Sequence, residues 1–536
     1  MTTTRVAKST PAQPTRRARV VALRERLPGP ISVSPRAGRI GVAAISLGAL
    51  AFYLAHSLLE QHRYLSTGYD LGIFDQAVRA YSHLQQPLVP LKGSGVNIFG
   101  DHFHPIIAVL APLYWVWNSP STLLVAQAVV TAASIPVVYR FTRRRAGQGF
   151  SLVVAGAYGA GWPVQALVDF DFHEIAFGTP ILALAIDALD RRDDRRLLLW
   201  CVLLLLVRED MGILVALIGL LRWAQRRPNR PLVLGLVLGG LATYWVTTAI
   251  VIPHFAAGHG FAYGNQFGEL GNSVSAAGLN VLTHPWHAVA VFFSPEIKFQ
   301  TLCLLLVPLA LLPLRSPYAV LALPLLAERF LNSRHNLWQP FFHYNALPWL
   351  VLVLAMVDGA GRLGLFERLA TARRRRARAA LGVWLLAVPL LLIPFGSHYD
   401  VLPMTKLRQG YDGQQPSWLP NARSVVAYLP ANVCVAADNR IAPHLTTKDW
   451  TTVAEAPTPP PDFYVIDMSA PDTGGNPPAP KPITVLFGAN DQGYRIVLTA
   501  GTFVVLRAPG YTGPSSECRP LGPGKSGPLK PAFATD

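Results

Sequence analysis

The sequence predicts a polytopic α-helical membrane protein with a small α/β domain near its C-terminal end. Of the 536 residues, 51% are hydrophobic and only 14% are charged, whereas a soluble domain carries about 25% charged residues. The net charge of +17 is unevenly placed, because eleven Lys and Arg balance eleven Asp and Glu from Gly396 onward. The apolar part therefore carries the basic excess, which indicates topology by the positive-inside rule rather than nucleic-acid binding.

The apolar part begins after a basic tail. Residues 1–39 hold nine Lys and Arg with one Glu, which predicts a disordered cytoplasmic segment. We expect an uncleaved signal anchor at about 40–59 to open a transmembrane domain over residues 40–395. With that anchor the sequence predicts about eleven spans, the other ten lying at 121–141, 150–168, 175–189, 197–207, 211–223, 231–252, 299–314, 318–331, 345–356 and 379–395.

The basic clusters between these segments predict the orientation of the chain. Arg143–Arg145, Arg191–Arg196 and Arg362–Arg378 all fall on one side of the predicted spans. Because Lys and Arg concentrate in cytoplasmic loops, the N-terminus is expected inside the cell and the C-terminal domain outside. The protein is expected in the plasma membrane.

The first external loop, residues 60–120, is predicted to carry two short helices. Asp75–Ser82 has helical character, and Ile106–Trp117 is apolar but too short to span. The second segment ends in Tyr114, Trp115 and Trp117. Interfacial aromatics of this kind are typical of a helix that lies along the membrane surface.

The extracytoplasmic domain, residues 396–510, is predicted from short apolar segments. Strands are expected at 433–437, 463–468 and 483–487, and a hairpin at 494–499 and 502–507 across Ala500-Gly501. Residues 511–536 are predicted to be a disordered tail. Cys434 and Cys518 lie in an oxidising compartment and either form a disulfide or remain two free thiols, whereas Cys201 and Cys303 lie in apolar runs and read as inert.

Polar residues gather in four places on the predicted outer face. Carboxylates and imidazoles beside a bilayer are costly unless they face water, a ligand or each other. We therefore take the first external loop, which contains Tyr69–Gln76 and Asp101–Pro105, as the predicted reaction centre. The other two polar segments are Phe172–Glu174 and Arg208–Asp210.

These four motifs together resemble a bacterial family of polytopic membrane proteins of unknown function, the DUF2079 family, which is related to GT-C glycosyltransferases. The resemblance covers roughly Ile40 to Phe395. It implies a GT-C-like fold and a polyprenyl-phosphate sugar as donor. In GT-C enzymes an essential carboxylate lies near the start of the first external loop, which corresponds here to Asp70. Asp75 follows five positions later, so the acidic pair departs from a strict DxD metal motif.

Asp70 and Asp75 are the predicted catalytic residues. Sugar transfer needs a base for the acceptor hydroxyl and stabilisation of the leaving phosphate. Asp70 lies between Gly68 and Gly72, where the backbone can approach a ligand closely. The alternatives are a turn or helix-capping role for Asp70 and a solvent-facing or capping role for Asp75.

The histidines and the charged triplet are the predicted substrate-binding residues. Arg208 could hold a lipid phosphate bidentately, and the alternative is a self-neutralising buried pair within a helical hairpin. The histidines could instead be hydrogen-bonded interfacial residues. The full substrate-binding set is His102, His104, His173, Glu174, Arg208, Glu209, Asp210 and His343. A divalent cation, Mg or Mn, could be held by Asp70, Asp101, His102, His104 and Glu174.

The sequence thus predicts an integral membrane glycosyltransferase that moves a sugar from a polyprenyl-phosphate donor to an extracytoplasmic glycan or protein. The alternatives are a transporter or flippase of a lipid-linked or small polar substrate, and a scaffold for the C-terminal domain. Polar residues crowded on one face favour an enzyme over a transporter, which needs them at the midplane of several spans. The absence of a GxxxxGK[ST] motif argues against ATP-driven transport.

Overall fold

An α-helical bundle carries a five-stranded sheet at one end. The computed structural model describes residues 33–93, 95–256, 263–340, 342–367, 371–392, 416–454, 460–469 and 480–514. Most of the predicted N-terminal tail, most of the predicted C-terminal tail and Cys518 lie outside these residues.

The helices of the bundle follow one another closely along the chain. In chain order they are α1 (Pro35–His62), α2 (Ile73–Ser82), α3 (Ala111–Val116), α4 (Ser121–Ala146), α5 (Gln148–Gly159), α6 (Trp162–Asp169), α7 (Ile175–Arg191), α8 (Asp194–Leu204), α9 (Met211–Trp223), α10 (Arg230–Val246), α11 (Ile252–Phe255), α12 (Val274–Thr283), α13 (Pro285–Phe293), α14 (Glu296–Leu306), α15 (Ala322–Phe330), α16 (Ala346–Arg362) and α17 (Ala372–Leu392).

Four stretches in the described part of the chain are long and apolar enough to cross a membrane: α1, α4, Arg230–Phe255 and His343–Arg362. Two bent pairs raise the number to six if each is one span, namely α5 with α6, bent by 40°, and α13 with Glu296–Leu309, bent by 77°. The predicted eleven spans are not confirmed. Helices such as α8 and α9 are shorter than the ~20 residues that a bilayer requires.

The outward face of α10 is apolar. Leu234, Leu238, Leu241 and Trp245 recur at helical spacing on one face, and each is about half exposed or more. A row of exposed apolar side chains is costly in water but suits hydrocarbon. This face is therefore suited to contact lipid.

The basic clusters meet acidic partners at one end of the bundle. Arg140 at the end of α4 donates a 2.7 Å bond to Asp187 of α7, and Arg144 bonds Asp190 at 2.9 Å. Asp187 lies thirteen residues after Glu174, or ~20 Å along an α-helix. The arginine clusters and the carboxylate of Glu174 thus lie at opposite ends of α7.

Topology gives the first testable prediction. Because the arginine clusters should all be cytoplasmic, a reporter fused after Phe395, a position outside the described residues, is expected to be extracytoplasmic. The matched control is a fusion after Gly147, at the end of α4, which should be cytoplasmic. A cytoplasmic signal from both fusions would contradict the predicted orientation.

The apolar part of the first external loop forms a 3-10 segment, Pro105–Leu110, followed by α3. Val109, Leu113, Trp115 and Val116 are exposed there, with Val116 at 89%. An apolar face of this kind beside the bundle is consistent with the predicted surface helix.

The C-terminal domain has strands β1 (Cys434–Ala437), β2 (Trp450–Val453), β3 (Phe463–Asp467), β4 (Arg495–Ala500) and β5 (Phe503–Arg507), in the order β2-β1-β3-β5-β4. β1 is parallel to both β2 and β3, and the remaining pairs are antiparallel. Two helices accompany the sheet, α18 (Leu419–Tyr428) and α19 (Pro482–Asp491). Cys434 is disulfide-bonded, whereas Cys201 and Cys303 are free.

The predicted hairpin is confirmed as β4 and β5, but the strand predicted at 483–487 is wrong. That segment belongs to α19, where Pro482 occupies the first turn, a position that suits the fixed φ of proline. Short apolar runs do not distinguish a strand from a helix by periodicity alone. The sequence interpretation also missed β2, whose four residues carry two polar threonines.

The sheet domain rests on the loop at residues 60–120, which is predicted to be external. Gln76 of α2 donates a 2.9 Å bond to the carbonyl of Thr451 in β2. The ring of Tyr64 stacks on His444 with centroids 3.4 Å apart. These contacts place the sheet domain against the loop that carries Asp70.

Candidate active site

Asp70 lies in a strained turn that follows α1. The turn spans Gly68–Gly72, and the backbone of Asp70 adopts φ +82° and ψ −84°. This is close to a γ-turn geometry that is rare and strained for a residue with a side chain. Such a conformation costs on the order of 1–3 kcal/mol and persists only where its surroundings enforce it.

The start of the turn is fixed by Asp171. Its Oδ2 accepts a 2.9 Å bond from the amide of Thr67 and a 3.1 Å bond from the Thr67 hydroxyl. Burial raises the pKa of Asp171 to about 7, and the charge of Asp70 adds to that shift, although the bonds from Ser66 and Thr67 oppose it. Asp171 therefore anchors the turn from the bundle side.

His173 links Asp70 to Glu174. Its Nε2 lies 3.1 Å from Asp70 Oδ1, and its Nδ1 lies 3.1 Å from Glu174 Oε2. Burial disfavours the imidazolium, but Asp70 and Glu174 outweigh it and raise the pKa of His173 to about 10. At neutral pH a positively charged imidazolium therefore donates to both carboxylates.

Glu174 continues the chain of charges toward Arg208. The Glu174 carboxylate is 2% exposed; burial raises its pKa, but the imidazolium of His173 holds it well below the ordinary value. Arg208 Nη1 lies 3.8 Å from Glu174 Oε1. The same guanidinium donates two 2.7 Å bonds to Asp210 and lies 3.6 Å from Glu328 Oε2.

A second pair, made of an imidazole and a carboxylate, adjoins this chain of charges. His102 Nδ1 lies 2.7 Å from Glu209 Oε1, and the amide of Phe103 donates a 3.0 Å bond to Glu209 Oε2. Burial opposes protonation of His102, but Glu209 and Asp101 raise its pKa to about 9. The predicted segments Asp101–Pro105 and Arg208–Asp210 therefore meet in space.

Two further predicted histidines border the chain of charges. His343 stacks on His173 with ring centroids 3.7 Å apart, and His104 lies against Phe74, 5.4 Å between ring centroids. His343 is 2% exposed and His104 is 1% exposed. Among the described residues, neither ring nitrogen of His343 makes a hydrogen bond, and Nδ1 of His104 makes none either.

Asp75 stands apart from this cluster. It is fully buried, and both of its oxygens accept bonds from Arg79 Nη2, at 2.9 and 2.7 Å. The hydroxyl of Tyr114 donates a further 2.7 Å bond to Oδ1. These contacts connect α2 to α3 and are those of a packing residue. The catalytic role predicted for Asp75 stays a prediction.

The second prediction concerns this buried pair. Asp75→Asn would leave the Arg79 guanidinium buried without its counter-charge, which costs about 3–5 kcal/mol. We expect a lower thermal unfolding temperature for the purified protein. The double variant Asp75→Leu with Arg79→Met removes both charges and should recover much of that loss. A single variant as stable as the unmodified protein would contradict this role.

Asp101, one of the predicted metal ligands, is already engaged by other groups. Asp101 accepts bonds from Lys92 at 2.5 Å and from the Tyr263 hydroxyl at 2.7 Å. In the described ranges no group of three or more His, Cys, Asp or Glu is arranged to hold a metal ion. The divalent cation stays a prediction.

The sequence interpretation missed two acidic residues of the site. Glu328 follows the apolar run of a predicted span, where a carboxylate is a signal of function. Asp171 lies between two phenylalanines, two residues before His173. Asp171 did not stand out because it lies beside the more conspicuous His173-Glu174 pair, and Glu328 did not because it is a single acid near the end of an apolar run.

The arrangement combines a partly exposed carboxylate with a guanidinium. The Asp70 side chain is 30% exposed and that of Arg208 is 14% exposed. Among the described residues, Asp70 Oδ2 accepts no hydrogen bond, so it can receive a proton from a bound hydroxyl. The guanidinium can stabilise an anionic leaving group.

Comparison with known proteins gives a family and a distant structural likeness. A family model described as "Predicted membrane protein (DUF2079)" matches residues 61–458. None of the curated proteins matches the chain. The crystal structure of ArnT from Cupriavidus metallidurans bound to undecaprenyl phosphate is similar with a TM-score of 0.45 at 12% identity, over 87% of this chain and 99% of that chain. The apo structure of the same protein gives 0.44 at 13% identity, over 86% and 98%.

Proposed function

The chain belongs to the DUF2079 family of predicted membrane proteins, and we propose that it is an integral membrane glycosyltransferase. It transfers a sugar from a polyprenyl-phosphate donor to an acceptor hydroxyl outside the cell. One observation carries this proposal: Asp70 and Arg208 are joined through His173 and Glu174 in a single cluster. A base and a phosphate-binding cation are thereby held in one site.

The reaction is a displacement at the anomeric carbon of the sugar. The acceptor oxygen forms a bond to that carbon, and its proton passes to Asp70 Oδ2. The bond between the carbon and the phosphate oxygen breaks, and its electron pair leaves with the polyprenyl phosphate. The leaving phosphate gains negative charge, and Arg208 stabilises it.

The other residues of the cluster hold these two groups in place. The imidazolium of His173 fixes Asp70 Oδ1 and leaves Oδ2 for the acceptor. Glu174 and Asp210 orient the guanidinium of Arg208. His102, Glu209, His104 and His343 border the cluster and are proposed to bind the sugar and the acceptor.

The proposed partners follow from this chemistry. The donor is a polyprenyl-phosphate sugar in the plasma membrane, and the acceptor is a glycan or protein of the cell envelope. Mg or Mn is a proposed cofactor whose need is tested by a chelator. The C-terminal domain is proposed to lie on the extracytoplasmic side.

A transfer assay tests this function. The purified protein, in lipid vesicles, is given a panel of polyprenyl-phosphate sugars with labelled sugar and an envelope extract as acceptor source. We expect labelled sugar to leave the lipid and enter acceptor material. Movement of intact donor across the vesicle membrane without sugar release would favour the transporter alternative and contradict the proposal.

A further inference from the structure

We propose that the extracytoplasmic sheet domain positions the catalytic turn, and that Asn439 is the positioning residue. This inference rests on the proposed function, because it concerns the turn that carries Asp70. Asn439 follows β1, and it contacts the turn from 370 residues away in the sequence, counted from Tyr69.

Asn439 makes two hydrogen bonds to the turn. Its backbone oxygen accepts a 2.6 Å bond from the amide of Gly68, and its side-chain Oδ1 accepts a 2.7 Å bond from the amide of Tyr69. A Cβ added to Gly68 would lie 2.8 Å from the Cβ of Ala442. The sheet domain therefore contacts the two residues that immediately precede Asp70 so closely that only glycine fits at the first.

The position of Asn439 is itself fixed by the sheet. The amide of Asp438 donates a 2.8 Å bond to the carbonyl of Val465 in β3. Asp438 Oδ1 accepts a 2.9 Å bond from the amide of Arg440, and the Arg440 guanidinium lies 3.3 Å from Asp467. The loop that carries Asn439 leaves β1 and is thus tied to β3 on both sides of the contact.

The turn has an anchor on each side. Asp171 of the bundle bonds Thr67 at 2.9 Å, and Asn439 of the sheet domain bonds Gly68 and Tyr69. Asp70 comes next, in a backbone conformation that persists only where neighbours enforce it. Loss of the Asn439 side chain should let this backbone relax and move Asp70 away from His173.

The test compares three variants of the full-length protein. Asn439→Ala is expected to lower kcat by ~10- to 100-fold, the range reached when a reacting group is misplaced by about 1 Å, with KM for the donor little changed. Asn439→Asp keeps an acceptor oxygen and should recover most of that kcat. Asn490→Ala changes an exposed residue at the end of α19 and should leave kcat unchanged.

Amide hydrogen exchange separates this inference from the proposed function. In Asn439→Ala the peptide containing Tyr69 is expected to exchange faster than in the unmodified protein, whereas Asn439→Asp should restore protection. This readout needs no substrate. Unchanged exchange, or an Asn439→Ala variant with full kcat, would overturn the positioning role, whereas faster exchange in a protein without transfer activity would overturn only the proposed function.

Discussion

Asp70→Asn is expected to fold, to retain the donor lipid and to lose turnover by ~100-fold or more, the scale of a lost acid–base group. The amide keeps the shape of the carboxylate but has almost no proton affinity. Its oxygen can still accept the bond from His173, so the turn and the cluster should stay in place. Sugar release from a polyprenyl-phosphate donor is the measurement, with donor binding and thermal unfolding recorded in parallel.

Asp75→Asn serves as the comparison for this prediction. Asp75 lies in its own buried pair with Arg79, so its variant should lose stability more than turnover. If a divalent cation joins the two carboxylates, both variants should lose turnover, and a chelator should abolish the activity of the unmodified protein. Full turnover by Asp70→Asn would remove the catalytic role from this loop and favour a transporter.

Arg208→Ala is expected to have the next largest effect, a loss of turnover of ~10²- to 10³-fold, as is found when a group that stabilises developing charge is removed. Glu174, Asp210 and Glu328 all lie within 4 Å of this guanidinium. The variant leaves these three carboxylates without their shared cation. It also leaves the departing phosphate without its positively charged partner. The measurements are transfer activity, membrane insertion and the yield of folded protein.

A matched arginine separates function from stability. Arg222 is 4% exposed and bonds Asp194 at 2.7 Å, at the far end of α9 from the cluster. Arg222→Ala should therefore cost stability without a specific loss of turnover. Arg208→Lys keeps the charge but loses the planar pair of bonds to Asp210, so it should fold and remain impaired. Full activity in Arg208→Lys and misfolding in Arg208→Ala would together favour a purely structural hairpin.

The sequence predicts site residues in four polar segments, and the structure brings residues of these segments close together. His173 and Glu174 lie in one motif and Arg208 lies in another, 35 residues after His173, yet all three join Asp70 in one chain of contacts. This proximity is expected because ionisable groups beside a bilayer are costly unless they meet one another or a ligand. That argument needs only their presence in apolar surroundings.

The same argument could not tell which charges meet. Asp70 and Asp75 are five residues apart, but the turn at Gly68–Gly72 sends Asp70 toward His173, while α2 directs Asp75 toward Arg79 one helical turn on. Positive φ at a non-glycine residue is uncommon even for Asp, which is enriched there, so the sequence does not identify this backbone at Asp70. The contact between Asn439 and Tyr69 was equally hidden, because nothing local to either segment indicates a partner 370 residues away.

The span count was the least predictable feature. Apolar runs of 11 to 17 residues were predicted as spans because they fit the positions of the basic clusters between them. Helices of that length are too short to cross a bilayer. Only four described stretches, or six with the bent pairs, have the length and composition to cross. Breaks such as Ala160–Gly161 between α5 and α6 divide segments that look continuous in the sequence.

A density map of the full-length protein with a polyprenyl phosphate bound tests the central claim most directly. The account predicts that the lipid phosphate lies within hydrogen-bond distance of the Arg208 guanidinium, with Asp70 facing the same space. A phosphate bound elsewhere at saturating lipid, with the cluster of Asp70, His173, Glu174 and Arg208 closed to it, would contradict the proposed active site.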